Sequence, residues 1–202
     1  MPGLPKPAEV RPLWEHLPQS LIDHLERVSR LSGELAARWS VDPEAAELAG
    51  FLHDIARAQR PEVLLQLARD LGLPIDPVEE TTPLLLHGPV GAALARDAVT
   101  GAGDDVFQAI TWHSTARPGM SDLEKVVFLA DKLDPGKAGY YPPELNPLGQ
   151  LAKAGLDEAV VFYLDWQLRH LLERGLAIHS AAVHARNWLL PHRHGDKLTT
   201  NL

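Results

Sequence analysis

A chain of 202 residues, 45% hydrophobic and 23% charged, has the make-up of one sizeable globular domain, which excludes wholesale disorder and collagen-like repeats. Lys and Arg number 19 against 27 Asp and Glu, a net charge of −8, so there is no general basic surface for tracking a nucleic acid polymer. Cysteine is absent, which removes disulfides, thiolate metal sites and cysteine nucleophiles. The opening MPGLPKPAEVRP is rich in proline and predicts an extended N-terminal arm over residues 1–17. It lacks the apolar core of a signal peptide, and no apolar run nears the ~20 residues of a membrane span, so the expected location is cytoplasmic, away from membranes.

From Pro18 onward the pattern turns helical. Leu21, Leu25, Val28, Leu31, Leu35 and Trp39 recur at steps of three or four, which predicts one amphipathic helix ending near Ser40. Asp42-Pro43-Glu44 is a helix start, with Asp as N-cap and Pro at the first position, and the predicted helix carries His53 and runs to about Ala58. A short helix follows over residues 64–71, stopped by Gly72 and Pro74, and residues 76–83 read as a loop. Further helices are predicted over residues 88–99 and from Val106 to His113. Pro118-Gly119 breaks the second of these, and Ser121-Asp122-Leu123-Glu124 is a capping box that opens the next. A Pro/Gly-rich loop spans residues 134–147. Helices over residues 156–173 and 178–190 complete an all-α domain, residues 18–190, of about seven to nine helices. Residues 191–202 form a polar tail. Trp14, Trp112, Trp166 and Trp188 are expected in core or inter-helix seams.

His24, His53-Asp54, His87, His113 and Asp131 are spaced about one helix or one helical hairpin apart, so a bundle can point them all inward. Any one histidine alone also fits a hydrogen-bonded core or surface residue. The set carries more: imidazole and carboxylate together suit Zn, Fe, Mn or Ni. Four His and two Asp exceed one tetrahedral zinc and match two cations sharing a bridging carboxylate. Asp54 and Asp131 each follow an apolar run, and a buried carboxylate without a partner is costly, which implies cations nearby.

In order, His24-Leu25-Glu26-Arg27-Val28, Ala49-Gly50-Phe51-Leu52-His53-Asp54-Ile55-Ala56-Arg57, Leu86-His87-Gly88-Pro89, Ala109-Ile110-Thr111-Trp112-His113-Ser114-Thr115 and Ala130-Asp131-Lys132 give H…HD…H…H…D. Over about residues 21–138 this resembles the HD-domain metallophosphohydrolases, and in detail the YqeK-type symmetrical bis(5′-nucleosyl)-tetraphosphatases. The resemblance implies two divalent metal ions, with iron favoured and Mn, Co or Ni compatible. One would be held by His24, His53, Asp54 and Asp131, the other by His87 and His113 with Asp54 bridging. Two cations about 3.5–4 Å apart clamp a phosphate and generate hydroxide near neutral pH. The implied reaction takes diadenosine tetraphosphate and water to two ADP.

Asp54, Arg57 and Lys132 are assigned as catalytic on this reading. Arg27, Arg57, His87, Ser114, Thr115, Lys132 and Lys137 are assigned as substrate contacts. Arg27 lies three residues after His24 and Arg57 three after Asp54, each a helical turn from a ligand. The plainer reading makes Arg27 an ion-paired or surface residue, and lets Ser114 and Thr115 merely cap a helix end. The chain departs from the family pattern in two places. His113-Ser114-Thr115-Ala116 stands for HTTG, and Leu133-Asp134-Pro135-Gly136-Lys137 stands for Ile-Glu-Pro-x-Arg, so Lys137 keeps the charge but loses the bidentate fork.

Two other functions remain in view. A nucleoside monophosphatase of the same superfamily needs only His, His-Asp and Asp, which leaves His87 and His113 without a task. A non-catalytic nucleotide or metal sensor separates from an enzyme in a turnover assay. The expected partner is a small-molecule nucleotide, and a homodimer is compatible with the sequence. Gly139-Tyr140-Tyr141-Pro142 resembles the GYP of cyclic-dinucleotide phosphodiesterases, but the His-His-Glu block of those enzymes is missing. His16, His170, His179, His184 and the tail's His192 and His194 read as surface or structural histidines.

Overall fold

The stripe that starts at Leu21 becomes α1, Gln19–Arg38, in the computed structural model of the chain, which describes residues 4–137, Gly139 and 141–190. Leu25 and Val28 are fully buried and Leu35 nearly so, the packing face that the three-and-four spacing implies. Asp42 caps α2, Pro43–Leu52, by accepting the backbone N–H of Glu44 at 2.9 Å. This helix ends six residues earlier than its pattern suggests. The chain tightens into short turns there, with Arg57 N–H donating to the Asp54 carbonyl at 2.9 Å.

Next come α3, Pro61–Asp70, closed by Gly72 at φ +64°, and α4, Pro77–Thr81, within the stretch read as a loop. The signal for α4 was present: Asp76 and Glu79 form a reciprocal capping box around Pro77, in which the Asp76 N–H donates to Glu79 Oε2 at 2.8 Å, and the Asp76 side chain also accepts the Val78 N–H at 2.8 Å. The remaining helices are α5, His87–Ala98; α6, Asp104–Trp112; α7, Asp122–Lys132; α8, Leu148–Ala154; α9, Leu156–Glu173; and α10, Ser180–Leu189. The Ser121–Glu124 capping box opens α7 as its sequence requires. Among the described residues there are no strands, so the all-α expectation holds, and α4 and α8 are the short helices it left out.

The N-terminal arm is not extended throughout. Pro7–Leu13 winds into a 3-10 helix, and burial of Val10 and Leu17 ties the segment to the core. The polar tail at residues 191–202, with His192 and His194, and Tyr140 of the GYP-like run lie outside the described residues.

α1 packs on α2 and α7, α6 on α2, α5 and α7, and α9 covers α7 between α8 and α10. The resulting core holds Leu25, Leu52, Ile110, Phe128, Leu129, Leu148 and Leu164 without solvent exposure. Each such side chain contributes about 1.5–3 kcal/mol through burial. A smaller cluster of Leu64, Ala68, Leu86 and Val90 seats α3 against α5. Trp14 meets Phe51 edge-on at 5.6 Å and Trp166 lies 5.5 Å from Tyr163, both in seams as expected. Trp188 does not follow suit: it is 52% exposed. Among the described residues, no helix is long and apolar enough to cross a membrane.

Candidate metal centre and active site

Six side chains from five places in the chain converge where α1, α2, α5, α6 and α7 meet. His24 projects from α1, His53 and Asp54 follow the end of α2, and His87 opens α5. His113 follows the end of α6, and Asp131 sits in the last turn of α7. All six are buried. His24 and His53 bring their Nε2 atoms to 3.2 Å, and His87 and His113 theirs to 3.0 Å. Asp54 spans the two pairs: Oδ1 lies 2.9 Å from His87 Nε2 and 3.3 Å from His113 Nε2, while Oδ2 lies 3.7 and 3.6 Å from those of His24 and His53. Asp131 Oδ1 closes the first pair at 3.2 and 3.4 Å.

Two glycines let the helices come this close. A Cβ on Gly50 would stand 2.5 Å from Ser32 Oγ and 3.1 Å from Ser29 Cα on α1. One on Gly88 would stand 2.6 Å from the Thr111 carbonyl oxygen of α6.

The protons of the cluster can be assigned from its outer side. Nδ1 of His53, His87 and His113 donates to the carbonyls of Gly50, Leu84 and Ile110 at 2.7, 2.5 and 2.7 Å. Nδ1 of His24 donates to Asp134 Oδ2 at 2.6 Å. Carbonyl and carboxylate oxygens only accept, so each Nδ1 holds a hydrogen, and each ring turns Nε2 toward the centre of the cluster. Four Nε2 atoms thus face two carboxylates. Protonation does not relieve the crowding at His113, whose pKa burial pulls down to about 3 despite the Asp54 carboxylate. Asp54 and Asp131 both stay well below the ordinary carboxylate range. Burial opposes this, but His53, His113 and His87 outweigh it at Asp54, as do Lys132, His24, His53 and Lys137 at Asp131. Asp54 Oδ1 is buried without a hydrogen-bond partner. Inward-facing imidazole nitrogens and carboxylate oxygens with anchored outer N–H groups are the donor set a divalent cation takes, and the cluster fits one.

Asp134 organises one edge of this arrangement. Besides His24 it accepts Nε and Nη2 of Arg27 at 2.6 and 3.0 Å and the Gly136 N–H at 3.0 Å. Burial pushes its carboxyl up, but the bonds from Arg27 and His24 win and bring it down to about 2. Arg27 is therefore held in an ion pair with Asp134 through Nε and Nη2. Sequence reasoning met Asp134 only as a departure from a motif; the signal for its role was an acid one helical turn past Asp131. Asp134→Ala is expected to weaken metal binding about 10- to 100-fold with the helical content retained, as read by metal titration and circular dichroism. Wild-type affinity in this variant would show that His24 needs no such anchor.

The cations differ sharply from one another. Lys132 is buried. Its Nζ donates to the His113 carbonyl at 2.5 Å and to Asp131 Oδ2 at 2.9 Å, and lies 4.2 Å over the Phe128 ring. It ties the His113 turn to α7, and burial lowers its pKa. Lys137 pairs with Asp131 Oδ1. Arg57 is exposed and has no ion pair among the described residues.

A cavity of about 260 Å³ opens over the cluster, walled by Arg57, Ser114, Lys132 and Lys137 and, unforeseen in the sequence, by Tyr163 and Gln167. Ser114 Oγ reaches His113 Nε2 at 3.1 Å and His87 Nε2 at 3.2 Å. Thr115 is not brought here. It lines a larger cavity of about 770 Å³ on the outer side of α5 and α6, whose walls include Leu73, Ile75, Phe107 and Trp112 and none of the six candidate ligands.

The HD-domain family model matches residues 21–136. A Halalkalibacterium halodurans protein named "Bis(5'-nucleosyl)-tetraphosphatase, symmetrical" is 32% identical over 175 residues, 87% of this chain and 91% of that one. A Bacillus subtilis protein of the same name is 29% identical over 167 residues, 83% and 88% of the two chains. A crystal structure described as a "predicted HD superfamily hydrolase involved in NAD metabolism", from Clostridium acetobutylicum, superposes with a TM-score of 0.87 at 26% identity. It covers 95% of this chain and 100% of that one. With more than half of its length matched and the H…HD…H…H…D residues gathered in one buried cluster, the chain belongs to the HD-domain family.

Proposed function

We propose that this protein hydrolyses dinucleoside tetraphosphates symmetrically, taking diadenosine tetraphosphate and water to two ADP. The observation that carries the reading is the buried cluster itself: four imidazole Nε2 atoms and two carboxylates at the floor of a cavity rimmed by Arg57 and Lys137. The names of the Halalkalibacterium halodurans and Bacillus subtilis relatives supply the substrate.

On this reading His24, His53, Asp54 and Asp131 would hold one divalent cation and His87, His113 and Asp54 a second, with iron the expected metal. Such a pair supplies Lewis-acid polarisation of a phosphate oxygen and acidifies water. The chain's own residues do the rest. Arg57 and Lys137 neutralise phosphates on either side of the bond to be cut, and the Ser114 hydroxyl donates to a phosphate oxygen. Lys132, saturated by its two acceptors, keeps the His113 turn and Asp131 in register. Water oxygen bonds to one of the two central phosphorus atoms and releases a proton, the bridging P–O bond breaks, and ADP departs with the bridging oxygen, which takes up that proton.

Metal-replete protein turning over diadenosine tetraphosphate in ¹⁸O-water should yield two ADP per substrate, with label in one of them. ATP plus AMP as main products would overturn the symmetrical reading. Absence of turnover with iron or manganese supplied would favour a binding protein.

A further inference from the structure

Asp131 is shared between two lysines that differ in their freedom. Its Oδ2 accepts from Lys132, which is buried and also bound to the His113 carbonyl. Its Oδ1 is the atom facing His24 Nε2 and His53 Nε2 at 3.2 and 3.4 Å, and the same atom bears the Lys137 ammonium. Lys137 ends the short 3-10 turn Pro135–Lys137, its side chain is 30% exposed, and it lines the cavity over the cluster.

We propose that Lys137 competes with the divalent metal for Asp131 Oδ1, and that metal loading turns this lysine from Asp131 toward the substrate's phosphates. The inference rests on the metal-centre reading given under Proposed function. An ammonium and a dication on one carboxylate oxygen repel each other at short range, where little water screens them. Lys132 cannot yield, being buried and held by two acceptors. Lys137 can: a flexible four-carbon stem carries its compact charge, and the cavity it lines is where the phosphates must sit. Coupling of this kind is reciprocal, so whatever releases Lys137 from Asp131 also raises affinity for the anion that receives it.

The consequence is a pair of opposite effects from one substitution. A lysine that only gripped phosphate would leave metal affinity alone, and one that oriented Asp131 would support it. Lys137→Gln and Lys137→Met should each bind Mn²⁺ about fivefold tighter or more in calorimetric titrations of metal-free protein without nucleotide. In the Mn²⁺-loaded state the same variants should bind ADP about tenfold more weakly. Lys137→Arg, which keeps the charge, should stay near wild type for Mn²⁺. Unchanged or weaker Mn²⁺ binding by both neutral variants would overturn the competition while leaving the metal centre standing. Failure of wild type to bind Mn²⁺ at all would remove the metal-centre reading and this proposal with it.

Discussion

Asp54→Ala is expected to lower kcat/KM by about 1,000-fold or more and to strip the protein of bound metal. Asp54 is the carboxylate with an oxygen toward each histidine pair, 2.9 and 3.3 Å on one side and 3.7 and 3.6 Å on the other. Alanine leaves four imidazole nitrogens facing a site with Asp131 alone to balance a cation's charge. On the two-ion proposal, in which Asp54 would serve both ions, elemental analysis should fall from about two ions per chain to none. Asp54→Asn, which keeps the shape and removes the charge, should behave in the same way. A variant that keeps one firmly bound ion near His24 and His53 would show that the two halves are independent and that Asp54 does not bridge them.

Gly88→Val is expected to be nearly as damaging without touching a candidate ligand. The Cβ of any residue here meets the Thr111 carbonyl oxygen at 2.6 Å and that of Ile110 at 3.2 Å. Those are backbone atoms of α6 and cannot swing aside, so α5 and α6 must separate. Overpacking of this kind costs about 1–3 kcal/mol. The functional loss should be larger: His87 opens one of the two helices being parted and His113 follows directly on the other, and a misplacement near 1 Å costs about 100-fold in rate. Thermal unfolding and kcat measured together test this, with the metal content expected to drop before the fold is lost. Wild-type activity would mean that the α5–α6 contact has slack the geometry does not reveal.

The six candidate ligands were legible in the sequence because their residue types are costly in apolar surroundings and their spacing matched the helices that bring them together. Helix existence was legible for the same reason, through the Leu21–Trp39 stripe and the Ser121 capping box. Helix ends were less so. His53 and Asp54 read as part of a helix, whereas α2 stops at Leu52 and the chain tightens beneath them. The partners of Arg27 could not be read at all, because Asp134 lies 107 residues away and the contact exists only once α1 and the segment after α7 are packed together. Thr115 illustrates the opposite error. Adjacency to Ser114 suggested a shared task, but successive side chains near a helix end point to different sides, and Thr115 faces the outer cavity.

Three of the four imidazoles are oriented by their own neighbourhood. His53, His87 and His113 each give the Nδ1 proton to the carbonyl three residues earlier, on the turn that leads into the histidine. His24 is set instead by Asp134, 110 residues further along the chain. The rings therefore need not become fixed together during synthesis. The His87 and His113 half can take its form once α5 and α6 have folded onto each other, whereas the other half waits for the polypeptide to reach residue 134. The first histidine of the set to leave the ribosome is the last to find its orientation.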